Sequence, residues 1–265
     1  MNQFYREVID ELLDEHILDT RMNMLIVAGG ETDWEVFYRR GFKSVVISNL
    51  DARMNGSEFA PFEWSFQDAE NLTYEDNAFD FCVVHSGLHH CYSPHRALLE
   101  MYRVAESGLL LFEPYDNLLT RLGVRLKVGQ DYEHAAVYYN DLEYGGVRNT
   151  WMPNYVYRWT DGEIVQTINS FAPHGRHYFK FVYKTRLPVT QLKGRKNPLF
   201  YYAALVALPI LKTLSSILPR QVNNNFAAVV LKPKLPQDLH PWLTWEEDGV
   251  KLNKQWLTNR YKASR

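Results

Sequence analysis

The chain has 265 residues, enough for one large domain or one domain with an elaborated end. Its 29 basic and 31 acidic residues nearly cancel, to a net charge of −2, which argues against the basic footprint of a nucleic-acid binder. At 46% hydrophobic and 23% charged the sequence supports a folded core, and at 14% aromatic it is rich in flat, half-polar side chains suited to small-molecule pockets and interfaces.

The first twenty residues carry Phe4, Tyr5, Val8, Ile9, Leu12, Leu13 and Ile17 at helical spacing, which predicts one amphipathic helix. Met24 to Ala28 is a short apolar run closed by Gly29-Gly30, read as a buried strand and a tight turn. A helical stretch with Trp34, Val36, Phe37 and Tyr38 ends near Gly41. Val45 to Ile47 is the next strand, stopping at Ser48-Asn49-Leu50-Asp51. This order opens a doubly wound α/β sheet. Trp64 to Gln67 is a weaker strand candidate and Phe79 to Val84 a strong one. Ser93 caps a helix that begins at Pro94 and carries Ala97, Leu98, Met101 and Val104 on one face. Gly108 separates it from Leu109 to Phe112, a strand ending at Glu113-Pro114. These apolar runs do not alternate, as parallel strands covered on both faces require.

Residues 116 to 158 are aromatic and glycine-containing, with no long periodic element. Following a parallel strand, they are expected at the sheet's carboxyl edge, where ligand loops sit. Thr160-Asp161-Gly162-Glu163 is a capping-box sequence that opens a helix through Phe171. Tyr178 to Tyr183 and Phe226 to Leu231 read as two strands that complete the same sheet. Between them, Leu199 to Leu211 is uncharged and mainly apolar, extended by Leu214, Ile217 and Leu218. Lys193, Arg195 and Lys196 precede it and Arg220 follows. With Pro209 and Lys212 in its path it falls short of the roughly 20 apolar residues of a membrane span. A helix covering the substrate pocket is expected, with a helix lying in a membrane interface as the alternative. The tail from Pro236 carries Trp242, Trp245, Trp256 and Tyr261, and is expected to pack on the domain.

The loop Ala28-Gly29-Gly30-Glu31-Thr32-Asp33 lacks the three-glycine spacing of a nicotinamide fingerprint and the lysine of a phosphate loop. It suits a cofactor with an uncharged adenosine end better than a pyrophosphate. Cys82 and Cys91 are too few for a disulfide framework and lack the spacing of a zinc site. The amino terminus is amphipathic and acidic without a signal pattern, so a cytoplasmic location is expected.

The run from 68 to 114 holds, in order, Asp68-Ala69-Glu70, Phe79-Asp80, Leu88-His89-His90, Glu100, Arg103-Val104 and Glu113-Pro114. Through these motifs, over about residues 22 to 115, the chain resembles the class I S-adenosylmethionine-dependent methyltransferases. The resemblance lies in the type 11 branch that includes quinone-biosynthesis C-methyltransferases. It implies a Rossmann-like seven-stranded sheet whose antiparallel last strand is inserted beside the fifth, with Tyr178 to Tyr183 and Phe226 to Leu231 as strands six and seven. It implies a domain over 1–232, with a cofactor half at 22–115, substrate-facing insertions at 116–225 and an aromatic tail at 233–265. It also implies S-adenosylmethionine as cofactor. Ala28, Gly29 and Gly30 would form its turn, and Asn49 would meet the ribose, with Asp51 as the alternative. Asp68 would accept from the adenine amino group with the Ala69 backbone beside the ring, and His85 and Ser86 would face the methionine end. The family's GxGxG has here become Ala28, Gly30 and Thr32, and its ribose-binding acid has become Asn49.

Methyl transfer is an in-line displacement, so positioning and exclusion of water supply most of the catalysis. An oxygen nucleophile also needs a base, and the candidates are His89 or His90, then His85. The competing reading has one of the pair packing under the sheet edge and the other capping a turn. No metal is expected, because the histidines lack the HExxH pattern. The aromatic stretch from Tyr132 to Trp159, with the apolar helix, is expected to build the acceptor pocket. Its rings suit a sugar, so O-methylation of a small or lipid-linked acceptor, such as a sugar or glycoconjugate precursor, is the leading expectation. A quinone-like ring is the competing acceptor, and a non-catalytic scaffold of the same fold is the reading from another class. The partner classes expected are a small-molecule acceptor and the inner face of a membrane touched through 199–218, with no nucleic acid.

Overall fold

The computed structural model describes residues 2–185 and 199–262, so Lys193, Arg195 and Lys196 lie outside the described residues. Seven strands form one sheet: β1 (Asn23–Val27), β2 (Ser44–Asn49), β3 (Glu63–Phe66), β4 (Phe79–His85), β5 (Ala105–Pro114), β6 (Tyr178–Lys184) and β7 (Asn225–Leu231). Their order is β3-β2-β1-β4-β5-β7-β6. The first five run parallel, while β7 pairs antiparallel with both β5 and β6. This is the doubly wound sheet with an inserted antiparallel last strand that the sequence implied.

The apolar strands are explained by the two layers that cover them. In β1, Leu25 and Val27 enter one core and Met24 and Ile26 the other. The same two-residue period splits β4 into Cys82 and Val84 against Phe81 and Val83. It splits β5 into Leu109 and Leu111 against Leu110 and Phe112. One face is covered by α1 (Asn2–Asp14) and α2 (Glu31–Arg39), through Tyr5, Val8, Ile9, Leu12, Val36 and Phe37. The other is covered by α3 (Pro94–Val104) and α6 (Asp161–Phe171), through Ala97, Leu98, Met101, Ile164 and Ile168. Both covering helices start where their capping residues say. The Ser93 hydroxyl accepts from Arg96 N–H ahead of Pro94. Thr160 and Glu163 satisfy each other's backbone N–H groups in a capping box.

The insertion after β5 is not wholly irregular. It holds α4 (Leu118–Arg125), α5 (His134–Tyr138) and a 3-10 turn at Val147–Asn149. An isolated bridge from Tyr115 to Trp159 closes its base, and another from Tyr132 to Tyr155 ties the insertion to itself. The apolar stretch is α7 (Leu199–Ile217), and none of its described side chains is buried. The tail forms a hairpin of β8 (Leu243–Glu246) and β9 (Gly249–Leu252), joined to the domain by a bridge between Gly175 and Leu239.

The centre of the sheet leaves no room at Gly108, where an added Cβ would lie 2.5 Å from the Val230 carbonyl oxygen on β7. Gly108→Ala should cost about 1–3 kcal/mol, by forcing β5 from β7. Gly123→Ala, in open space on α4, should be neutral or stabilising by up to about 1 kcal/mol. Paired thermal melts check the contrast.

Candidate active site at the carboxyl edge of the sheet

The turn leaving β1 is shaped by close packing. Ala28 takes a left-handed backbone conformation, φ +52°, that alanine adopts at a cost. Gly29 donates its N–H to Ser48 O at 2.9 Å, and a Cβ there would sit 2.8 Å from Ile26 and 2.9 Å from Ile47. Asn49, at the end of β2, donates its amide to Gly29 O at 2.8 Å. Gly30 opens α2, and a Cβ added there meets nothing within 4 Å. Asp33 accepts from Gly30 N–H at 3.0 Å and from the Tyr5 hydroxyl at 2.8 Å, so the first helix is tied to the turn. Burial pushes the Asp33 carboxyl up to about 6.

A cleft of about 210 Å³ opens beside this turn. Of the sequence candidates, Ala28, Asn49, Asp68, Ala69 and Ser86 line it, joined by Gly87 and His90. The missing first glycine of the turn has a counterpart across this cleft. A Cβ on Gly87 would lie 2.5 Å from the Ala28 methyl, so the space that alanine takes on one wall is returned by glycine on the other. Asn49 spends its amide N–H on the turn, leaving its oxygen as the acceptor for a hydroxyl. Asp51 does not line the cleft. It is buried and binds Arg53 through both oxygens, and the guanidinium holds its carboxyl below the usual carboxylate range.

The opposite wall comes from the insertion. Gly145, Gly146, Arg148 and Asn149 complete the cleft, and Arg148 reaches Asp68 at 2.8 Å and Glu70 at 3.3 Å. Arg148 and Asn149 both have positive φ. Glu70 in turn accepts from Tyr92 N–H and Ser93 N–H, fixing the loop that carries the histidines. The sequence gave no signal for Arg148, which is remote in the chain from Asp68 and belongs to no motif.

The histidines separate into distinct environments. His85 stacks on Tyr5 with ring centroids 4.4 Å apart. His95 meets Glu163 at 3.1 Å, away from the cleft. His89 is buried, with Nδ1 2.6 Å from Glu113 Oε2 and Nε2 3.3 Å from Glu133 Oε2. Burial alone would lower its pKa, yet the two carboxylates outweigh it and hold the imidazole up to about 10. His90 stands 3.5 Å from the same Glu133 oxygen, and its burial beside His89 lowers its pKa. Glu133 is held down to about 2, first by its contact with His89. The buried Asn154 donates toward His89 O at 3.2 Å and Glu133 at 3.5 Å. Burial pushes the Cys91 thiol up to about 12 and the Cys82 thiol higher still, so neither serves as a thiolate. Glu133 and Asn154 were missed because they lie in the insertion, far along the chain from the histidine motif.

A second cavity, of about 180 Å³, adjoins the first at Ser86. Phe4, Phe112 and Phe226 give it an apolar lining, with His85 and Glu113 at its edge. It is built by α1 and the ends of β4, β5 and β7, not by the aromatic stretch expected to form the acceptor pocket. Tyr132, Tyr138, Tyr139, Trp151 and Tyr155 of that stretch are exposed instead.

The groups in the first cleft fit S-adenosylmethionine: the turn at Ala28, an accepting amide oxygen at Asn49 and a carboxylate at Asp68 beside the Ala69 backbone, while Gly29 and Gly30 of the same turn do not line it. Residues 30–112 match a family model described as a methyltransferase domain. Among solved structures, the magnesium protoporphyrin IX methyltransferase of Synechocystis PCC 6803 with bound SAH aligns at 12% identity and a TM-score of 0.51, covering 87% of this chain and 83% of that one. The 4+2 cyclase SpnF aligns at 16% identity and 0.51, covering 86% and 80%. A SAM-dependent methyltransferase from Archaeoglobus fulgidus aligns at 12% and 0.49, covering 86% and 94%. At these identities the structural likeness shows the fold alone. No curated protein sequence matches the chain. Residues 30–112 thus match a methyltransferase domain, and the sheet that holds them has the strand order of the Rossmann-like methyltransferase fold.

Proposed function

We propose that the enzyme methylates a hydroxyl of a small or lipid-linked acceptor, with a sugar or glycoconjugate precursor as the substrate class. The observation that carries this reading is the meeting of two cavities at Ser86, with His90 on the wall of the first and His85 and Glu113 on the wall of the second. When bound, S-adenosylmethionine supplies a sulfonium-activated methyl group and leaves as S-adenosylhomocysteine. Asn49 and Asp68 hold the adenosine end, and Arg148 gives up its contact with Asp68 as the adenine amino group takes its place. Phe4, Phe112 and Phe226 exclude water around the acceptor, which aligns its oxygen for in-line attack. The hydroxyl loses its proton to His90, which lines the cofactor cleft and which burial beside the charged His89 keeps neutral. A carbon acceptor on a quinone-like ring would have less use for such a base.

The lipid-linked form of the acceptor is supported by the surface around α4 and α7. Leu118 is 83% exposed, Val206 69% and Ile217 68%, with Leu122, Leu126, Tyr202 and Ile210 exposed beside them in sequence. Arg121 and Arg125 lie on α4 among its leucines. Among the described residues no helix is long and apolar enough to cross a membrane. Apolar side chains with nearby cations suit contact with an anionic lipid surface instead.

Calorimetry should show S-adenosylhomocysteine binding to the full chain, weakened about 10-fold or more in Asp68→Ala; no binding at high micromolar ligand would overturn the assigned cofactor residues. Gly87→Ala should abolish that binding by colliding with the Ala28 methyl, and Ala28→Gly in the same chain should restore it. In a screen of sugars, glycolipids and quinones, methyl transfer is expected on a sugar hydroxyl, and transfer confined to a quinone ring would overturn the acceptor class. Cosedimentation with phosphatidylglycerol vesicles should fall sharply in Leu122→Glu with Val206→Glu, while absence of vesicle binding by the unaltered chain removes the membrane contact.

A further inference from the structure

The cluster of His89, His90 and Glu133 has a geometry that a hydrogen-bond network does not account for. Nε2 of His89 and Nε2 of His90 approach the same carboxylate oxygen of Glu133, at 3.3 Å and 3.5 Å. Both separations are long for N–H···O hydrogen bonds, which centre near 2.9–3.0 Å. They match the edge of a coordination tetrahedron, roughly 3.4 Å when each ligand atom lies about 2.1 Å from zinc. One ligand atom from each of the three residues falls within 4.8 Å of the other two.

The surroundings of the three are those of a supported metal site. His89 turns Nδ1 to the buried carboxylate of Glu113 at 2.6 Å, and His90 turns Nδ1 to Gly146 O at 3.4 Å. Each ring thus points its other nitrogen at Glu133, as metal-ligating histidines do when an oxygen acceptor fixes the tautomer. Glu133 is steadied by the buried Asn154, whose carbonyl accepts from Glu133 N–H at 3.0 Å while its amide faces the Glu133 carboxylate at 3.5 Å. Two carboxylates, Glu113 and Glu133, converge on one imidazole, a negative charge that a protonated His89 balances in the free protein and a bound metal ion would balance in its place.

We propose that His89, His90 and Glu133 bind a divalent transition metal ion, with Zn²⁺ favoured by the two-imidazole, one-carboxylate donor set and an open fourth position. His90 lines the cofactor cleft, which puts the cluster beside it. The ion's role rests on the O-methyltransferase reading above and changes one part of it: with the ion bound, the three residues would act as its ligands and not as the base, and the ion would lower the pKa of the acceptor hydroxyl, whose proton would pass to water as its oxygen attacks the methyl carbon. The C–O bond forms as the C–S bond breaks, and the electron pair of that bond returns to sulfur.

The test uses the full chain purified without chelator and measures metal content by plasma mass spectrometry. Calorimetry with Zn²⁺ follows on chelator-treated protein. About one metal per chain is expected, with micromolar or tighter Zn²⁺ binding. Glu133→Gln and His90→Gln should each weaken Zn²⁺ binding about 100-fold or more, and Glu113→Gln about 10-fold or more. Circular dichroism shows which variants keep the fold; Glu133 and His90 are only partly buried, so they carry the test if the Glu113 variant does not fold. Calorimetry with S-adenosylhomocysteine on the metal-free protein runs alongside. Cofactor binding without Zn²⁺ binding overturns the metal and leaves the methyltransferase reading standing. Zn²⁺ binding that survives both Glu133→Gln and His90→Gln overturns the assigned ligands.

Discussion

A single buried carboxylate holds the working edge of this sheet together. Glu113, near the carboxyl end of β5, accepts from Leu88 N–H at 2.8 Å and meets His89 Nδ1 at 2.6 Å. A carboxylate removed from water costs several kcal/mol unless charge and hydrogen bonds replace its hydration. The turn after β4 has to fold back onto β5 to supply that replacement. In doing so it places His90 on the wall of the cofactor cleft with His89 buried behind it, beside Glu133 from the insertion. The site's charged groups are arranged around this one demand.

The cofactor side shows how a family signature is altered without loss of its geometry. Ala28 occupies a left-handed position that glycine serves more cheaply, and its methyl intrudes on the cleft. Gly87, on the loop after β4, is the complementary deletion. The turn's remaining features survive because each rests on backbone or packing: Gly29 is confined by Ile26 and Ile47, and Asp33 gathers Gly30 and Tyr5. Arg148 adds a wall that belongs to the insertion and engages Asp68 and Glu70, so the conformation of the insertion is tied to that side of the cleft through two ion pairs.

The acceptor side follows a different logic. Its cavity is lined by rings on α1, β5 and β7, elements common to the sheet and its first helix, while the aromatic excess of the insertion faces outward. With α4 and α7 also exposing apolar side chains, much of the chain's aromatic and aliphatic surplus is surface. That distribution suits an enzyme that meets its acceptor at an interface and closes only a small apolar cavity around the reacting group.

What could be read from the sequence was local or periodic. Unbroken apolar runs marked β1, β4, β5 and β7 because parallel strands covered on both faces have no polar side to display. Ser93-Pro94 and Thr160 to Glu163 marked helix starts because capping is satisfied within a few residues. The motifs from Asp68 to Pro114 carried the family resemblance because they lie in one contiguous stretch. The apolar run at Leu199 to Leu211 marked a helix but no partner, since hydrophobicity without a polar face says that a segment avoids water and not what it packs against. Only the tertiary structure decided that Arg148 meets Asp68, that Gly87 answers Ala28 and that Glu133 and Asn154 join His89 and His90. Each of these pairs joins residues far apart in the chain. Their meeting is set by how the insertion folds over the sheet edge, which leaves no period or spacing in the sequence to read.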